Sequence, residues 1–286
     1  MSAPQTFNTN SQTIAYEVTG TGPPLLLLHG FPQTRAMWRP MVPGLAEQFT
    51  VVSADLRGYG DSTKPTSVQD MSFRLMGADM VNLMTALGHP HFHLAGHDRG
   101  ARTAHRIALD HPNAVDSLTV MDIVPTEYLL SNMTTRIAQA YYHWLFLAQP
   151  YPFPETLIGH DPDAYFERCL LGFGKASLDQ FDPHLLTLYR TAWRRPDTIR
   201  AMCHDYRAAL EIDWGDDAAD LDRRVTCPTL VLYGQDGAMA RLLDVPARWA
   251  DRVSNLTSKP MPGGHFFPDQ VPTETQGALL EFLKSL

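Results

Sequence analysis

Short, unbroken apolar runs alternate with stretches of helical spacing along the first 124 residues. Pro24–Leu28 and Thr50–Ala54 are continuous apolar runs, the pattern of strands buried on both faces. Thr13–Thr19 reads as a strand closed by Gly20-Thr-Gly22, and His91–Ala95 and Ser117–Ile123 as two more. Ser72–Leu87 instead places Phe73, Met76, Met80, Leu83, Met84 and Leu87 at helical spacing, with Gly88 as a stop. Arg99–His111 is the next helix. Strands and helices in alternation predict right-handed crossovers and a parallel sheet covered on both faces.

The alternation stops near Pro125. From there to Arg224 no strand-like run occurs, and aromatics and helix formers are punctuated by Pro150, Pro152, Pro154, Pro183 and Pro196. Thr229–Tyr233 then restores the strand pattern, and Thr275–Leu286 closes the chain as an amphipathic helix. The fold class expected is therefore α/β. Its core spans 1–124 and 225–286, interrupted by a helical cap at 125–224. This division accounts for a length of 286 residues, beyond one ordinary domain.

Composition narrows the function. The chain is 44% apolar and 19% charged, in the globular range, and its net charge is −8 with no basic block. A nucleic-acid partner is disfavoured, since polyanion binding needs a clustered basic face. Three cysteines, Cys169, Cys203 and Cys227, are odd in number and widely spaced, fitting a reducing compartment better than a disulfide framework. The N-terminal stretch MSAPQTFNTNSQT lacks a basic n-region and an apolar h-region, and no apolar run approaches the length of a membrane span. A soluble, cytoplasmic protein is expected.

The chemistry centres on Gly96-His-Asp-Arg-Gly100, placed between a predicted strand and a predicted helix. Small flanking residues there permit a sharp turn that exposes the central side chain as a nucleophile. That residue is Asp98, and no G-x-S-x-G occurs elsewhere in the chain. A carboxylate is ionised at neutral pH and suits displacement at sp³ carbon, leaving an ester that water must cleave. A lone Asp at a helix start can simply be a cap; the partners decide for catalysis. His265, in Pro262-Gly-Gly-His265, is the candidate general base. Its orienting acid is either Asp122, one strand after the nucleophile, or Asp236, after the next; Asp122 is preferred because Asp236 follows Gly234 too closely. His29-Gly30-Phe31-Pro32 ends another buried strand, so the backbone N–H groups of Phe31 and Arg99 are candidates for an oxyanion hole. His89, His91 and His93 alternate along a strand, but no carboxylate pattern joins them, and no metal site is expected.

Arg99 and Arg102 are three residues apart on the helix that Asp98 opens, and so share a face. Guanidinium groups beside a helix N-terminus grip a carboxylate at two points. Arg106 continues the row and reads as structural.

These residues give the chain a recognisable form. HGFPQ at His29–Gln33, DLRGYGDS at Asp55–Ser62, GHDRGAR at Gly96–Arg102 and MDIVPT at Met121–Thr126 resemble the α/β-hydrolase superfamily. Together with YYHWLFLAQPYPFPE at Tyr141–Glu155, CHDYRA at Cys203–Ala208 and GGHFFP at Gly263–Pro268, they closely resemble the haloacetate dehalogenases, fluoroacetate dehalogenases in particular. The resemblance implies Asp98, Asp122 and His265 as the catalytic set, with Arg99 and Arg102 on the substrate carboxylate. It implies His143, Trp144 and Tyr206 around the departing halide; without it His143-Trp144 would read as lid packing, and Tyr189 lies near Tyr206 in sequence. It further implies a homodimer, a small haloacid and water as reactants, and no cofactor. Three rivals share parts of this pattern: an epoxide hydrolase, a haloalkane dehalogenase and a non-catalytic ligand binder. Arg99 beside the nucleophile disfavours the first two, and an intact triad disfavours the third.

Overall fold

The apolar runs read as buried strands form the middle of one sheet. The computed structural model describes residues 4–9, 12–172 and 176–286. Residues 1–3 and 10–11, within the stretch read for targeting, lie outside the described residues, as do 173–175. The strands are β1 (Gln5–Asn8), β2 (Thr13–Thr19), β3 (Pro24–Leu28), β4 (Thr50–Ala54), β5 (Phe92–His97), β6 (Val115–Met121), β7 (Thr229–Gly234) and β8 (Leu256–Met261). Their order across the sheet is β1-β2-β4-β3-β5-β6-β7-β8. β1 and β2 pair antiparallel, as do β2 and β4; every other neighbour is parallel. Leu25 to Leu28 are completely buried, as expected of a strand between two helical layers.

Two strands escape the sequence pattern for one reason. β1 and β8 are the sheet edges; β8 reads LTSKPM and exposes its middle residues, so neither carries a buried apolar run. The helices behave more regularly. α1 (Phe73–Ala86) starts after Ser72, whose Oγ accepts from the Leu75 amide, and stops before Gly88 at φ +85°. α2 (Arg99–Asp110) is buried along almost its whole length, because it packs between sheet and neighbouring helices.

Between β6 and β7 the described residues form helices and no named strand. Those that matter below are α3 (Tyr142–Leu147), α4 (Phe153–His160), α5 (Pro183–Trp193) and α6 (Pro196–Ala208). α5 and α6 both begin on a proline, whose missing N–H costs nothing in a first turn. α7 (Pro272–Lys284) does the same, which moves its start three residues ahead of the predicted Thr275. No helix among the described residues is long and apolar enough to cross a membrane.

Register sets the site. Leu28 pairs with both Ala54 and Gly96, His97 with Met121, and Met121 with Leu232. The residues that follow, His29, Asp55, Asp98 and Asp122, therefore emerge along one edge. That edge is the carboxyl end of a parallel sheet, where α/β folds bind ligands.

Candidate active site

Asp98 stands at the turn between β5 and α2 with φ +49°, and Asp122 follows β6 with φ +51°. They are the non-glycine residues with positive φ among those described. Such backbone costs about 1–3 kcal/mol per residue and is held in place by its surroundings. The surroundings are visible. A Cβ at Gly96 would lie 2.4 Å from the Gly100 carbonyl oxygen, and one at Gly100 equally close to the carbonyls of Leu28 and His29. A Cβ at Gly30 would lie 2.5 Å from that of Asp98. Only hydrogen fits at these positions.

The Phe31 amide donates to Asp98 Oδ1 at 3.0 Å. The turn presenting it is pinned by His29, whose Nε2 accepts from the Leu56 amide at 3.1 Å and whose Nδ1 meets Gly30 O at 2.9 Å. This fixes a neutral ring with its proton on Nδ1, consistent with burial lowering the His29 pKa. Among the described residues no hydrogen bond joins the Arg99 amide to the Asp98 carboxylate. As the first helical residue, however, its N–H has no partner within α2.

On the other side, His265 Nε2 is 3.7 Å from Asp98 Oδ2, and His265 Nδ1 is 2.6 Å from Asp122 Oδ2. Asp122 is fully buried, and its Oδ1 accepts from the Gly234 amide at 2.9 Å. Asp236 is exposed at the mouth of the site and does not touch the ring, so Asp122 is the acid that meets His265. The imidazole rests on His97, whose Nε2 meets the His265 carbonyl at 2.8 Å. Gly234 makes this approach possible, since a Cβ there would sit 2.1 Å from Gly264 O.

The charges separate cleanly. Burial raises the Asp98 pKa, but His265, His97 and Arg99, with the Phe31 amide, outweigh it and hold the carboxyl down at about 2. Burial also opposes the His265 imidazolium; the hydrogen bond and charge of Asp122, then Asp98, reverse this and raise its pKa above 6.5. His143 goes the other way, pushed down to about 3 chiefly by burial, so its ring is neutral.

A cavity of about 710 Å³ opens onto Asp98, lined also by Phe31, Tyr141, His143, Tyr206 and His265. Tyr206 Oη and Arg99 Nη1 are buried without a hydrogen-bond partner among the described residues, as is Arg102 Nε. The Trp144 ring stands 5.3 Å from that of Tyr206, with Arg102 Cζ 4.8 Å and Arg99 Cζ 5.0 Å from its centre. Arg99, Arg102 and Trp144 lie behind the cavity lining rather than in it.

The family described as alpha/beta hydrolase fold matches residues 23–270. A fluoroacetate dehalogenase from Burkholderia sp is 50% identical over 274 residues, covering 95% of this chain and 90% of that protein. The chain belongs to the haloacetate dehalogenase family of the α/β-hydrolase superfamily. A soluble epoxide hydrolase from Corynebacterium sp. (strain C12) is more distant, at 30% identity over 97% of this chain and 96% of its own. Among solved structures, ALR0039 from Nostoc sp PCC 7120 superposes with a TM-score of 0.96 at 44% identity, covering 98% of this chain and 97% of that one.

Asp98 and Asp122 meet His265 from its two sides, and Phe31, His143 and Tyr206 line the same cavity, while Arg99, Arg102 and Trp144 pack behind it and Asp236 lies exposed at its mouth. Of the two tyrosines, Tyr206 lines the cavity, whereas Tyr189 donates to Asp269 Oδ1 at 2.8 Å. RGYGDS shapes a loop, as Arg57 and Asp79 form a buried ion pair beneath it. His93 meets Ser117 Oγ at 2.9 Å, and no group of three metal-binding side chains occurs among the described residues. Sequence reasoning missed the supports: His97 beneath His265, Tyr141 in the cavity wall, and Asp205, fully buried against Arg99. Asp205 adjoins Tyr206 within CHDYRA, but nothing local marks a partner 106 residues away.

Proposed function

We propose that the protein hydrolyses haloacetates, fluoroacetate or chloroacetate, to glycolate and halide through an ester on Asp98. The observation that carries this reading is the surrounding of Asp98 by unpartnered buried donors on Arg99, Arg102 and Tyr206. A small haloacid has a carboxylate and a leaving halide to satisfy them.

Asp98 Oδ1 is held by the Phe31 amide, so Oδ2 is the free oxygen. Oδ2 attacks Cα from behind the C–X bond, and the halide leaves with the bonding electrons. Arg99 and Arg102 hold the carboxylate. His143, Trp144 and Tyr206 offer ring and hydroxyl donors to the departing anion. His265, aligned by Asp122, then takes a proton from a water that adds to the Asp98 carbonyl carbon. Negative charge collects on Oδ1, beside the Phe31 amide, with the Arg99 amide as a second donor. Collapse breaks the bond between that carbon and the ester oxygen, and His265 returns its proton to the glycolate alkoxide. No step requires a cofactor.

Residues 125–224 are the cap in this scheme, with 1–124 and 225–286 the core; α3 and α6 bring His143, Trp144 and Tyr206 over the nucleophile. Exposed Leu145, Tyr151, Phe153 and Leu157 form an apolar surface on and beside α3 and α4, which supports a homodimer. Three free cysteines support a cytoplasmic location.

An epoxide hydrolase is the second reading, since Tyr141 and Tyr206 both line the cavity and two phenols can protonate an epoxide oxygen. Two buried arginines beside the nucleophile disfavour it, because a neutral epoxide leaves the charge of Arg102 unanswered. Fluoride and chloride release from both haloacetates, with a chloroalkane and an epoxide as comparisons, tests the assignment. Diol formation without halide release would reverse it. Single turnover in oxygen-18 water should label Asp98 rather than glycolate.

A further inference from the structure

Arg99 and Arg102 flank the same site, yet their charges are handled differently. Arg99 donates from Nε to Asp205 Oδ2 at 2.9 Å, and from Nη2 to Asp205 Oδ1 and to the Asp205 carbonyl. Both side chains are completely buried. Tyr59, also fully buried, donates to the same carboxylate from another loop. One edge of the Arg99 guanidinium is therefore saturated, and Nη1 remains without a partner. Phe73 and Tyr206 hold the guanidinium plane, at 4.5 and 4.4 Å from their ring centres.

Arg102 has no carboxylate partner among the described residues. Its Nη1 donates to the neutral Val124 carbonyl and Thr126 hydroxyl at 3.1 and 3.0 Å. We propose that Asp205 is a positioning residue for substrate binding: it locks and neutralises Arg99, which then offers one directed donor, while Arg102 supplies the uncompensated charge for the substrate carboxylate. This rests on the haloacetate reading above.

A buried ion pair adds little net stability over apolar packing, so its value here lies in what it does to Arg99. Without Asp205, Arg99 would be a second bare cation beside the nucleophile; its charge already helps to depress the Asp98 pKa. The guanidinium would turn toward Asp98, and Nη1 would lose its direction. Asp205 also sits beside Tyr206 on α6, so the same pair ties the halide-facing helix to the carboxylate-facing one.

The test compares wild-type protein with Asp205→Asn, using calorimetric binding of acetate and of bromide as inert probes of the two subsites. Acetate should bind at least about tenfold more weakly in the variant, and bromide within about twofold of wild type. A merely structural role would weaken both probes alike. Equal losses, unchanged acetate binding or tighter acetate binding would each overturn the proposal. Should Asp205→Asn fail to fold, Tyr59→Phe decides: acetate weakened about two- to fivefold supports it, and no change overturns it. Wild-type protein that neither binds acetate nor releases halide refutes the haloacetate reading. Wild-type protein that does both, with a variant indistinguishable from it, refutes only the role of Asp205.

Discussion

Asp122 Oδ2 lies 2.6 Å from His265 Nδ1, across 143 residues of chain. The contact fixes which ring nitrogen faces Asp98: Nδ1 is engaged, so Nε2 alone points to the nucleophile, 3.7 Å from Oδ2. Asp122 reaches this position through a left-handed backbone and a buried hydrogen bond from Gly234. A carboxylate that, among the described residues, meets one amide and one imidazole is placed to orient and to balance charge.

Removing the base should divide the reaction in two. His265→Asn leaves Asp98, Arg99 and Arg102 untouched, so alkylation proceeds and ester cleavage stops. Mass spectrometry after incubation with chloroacetate should find the protein heavier by one carboxymethyl group, on the peptide containing Asp98. An unmodified peptide, with turnover abolished, would rule out the two-step scheme. Asp122→Asn should slow turnover by roughly a thousandfold or more, as loss of the orienting acid does in other triads.

The two steps should also respond differently to pH. Asp98, held at about 2 with His265 in place, is ionised throughout any working range, so the wild-type burst of halide release that precedes ester cleavage should be flat between about pH 5 and 9. Ester cleavage needs neutral His265, whose pKa is raised above 6.5 by Asp122 and Asp98 against burial. Wild-type turnover should therefore fall on the acid side, as His265 takes up a proton. The stability contribution has the opposite sense. A raised histidine pKa stabilises the fold fully below 6.5, and this is lost as pH rises through the folded value. Turnover that does not fall as pH is lowered would contradict the assigned base.

Arg102→Gln removes the charge that has no carboxylate partner among the described residues. Burial lowers its pKa to about 10, partly offset by Asp98, and it remains charged at neutral pH. KM for chloroacetate should rise by roughly ten- to a hundredfold, with a smaller effect on kcat. Steady-state kinetics check this; an unchanged KM would remove Arg102 from the carboxylate site.

Gly100→Ala tests the elbow itself. The new methyl would lie 2.4 Å from two backbone carbonyl oxygens, of Leu28 and His29, which belong to β3 and the oxyanion turn. Neither can move without displacing the Phe31 amide. Destabilisation of about 2–4 kcal/mol is expected, lowering Tm by roughly 5–15 °C. A thermal melt matching wild type would mean that the turn has slack the geometry does not show.

Much of this architecture is legible in particular residues. Leu25 to Leu28 announce a central strand because burial on both faces demands an apolar run, and Ser72 and Gly88 mark α1 because caps obey local backbone rules. The edge strands β1 and β8 are illegible because solvent on one side permits Thr, Ser and Lys in a ladder. The site divides likewise. Asp98 is readable from its flanking glycines, which a strained turn requires.

The sequence by itself determined the nucleophile and its chemistry: a carboxylate at a sharp strand-to-helix turn, with a histidine downstream and two arginines one helical turn apart. Those are local facts, set by spacing of a few residues. Tertiary structure decided which acid reaches His265, which tyrosine faces the cavity, and that Asp205 rather than solvent answers Arg99. Each is a contact between residues about 100 or more apart, or a choice between neighbours on different helix faces. Only the sheet register and the packing of α3 and α6 over its carboxyl edge bring such residues within hydrogen-bond distance.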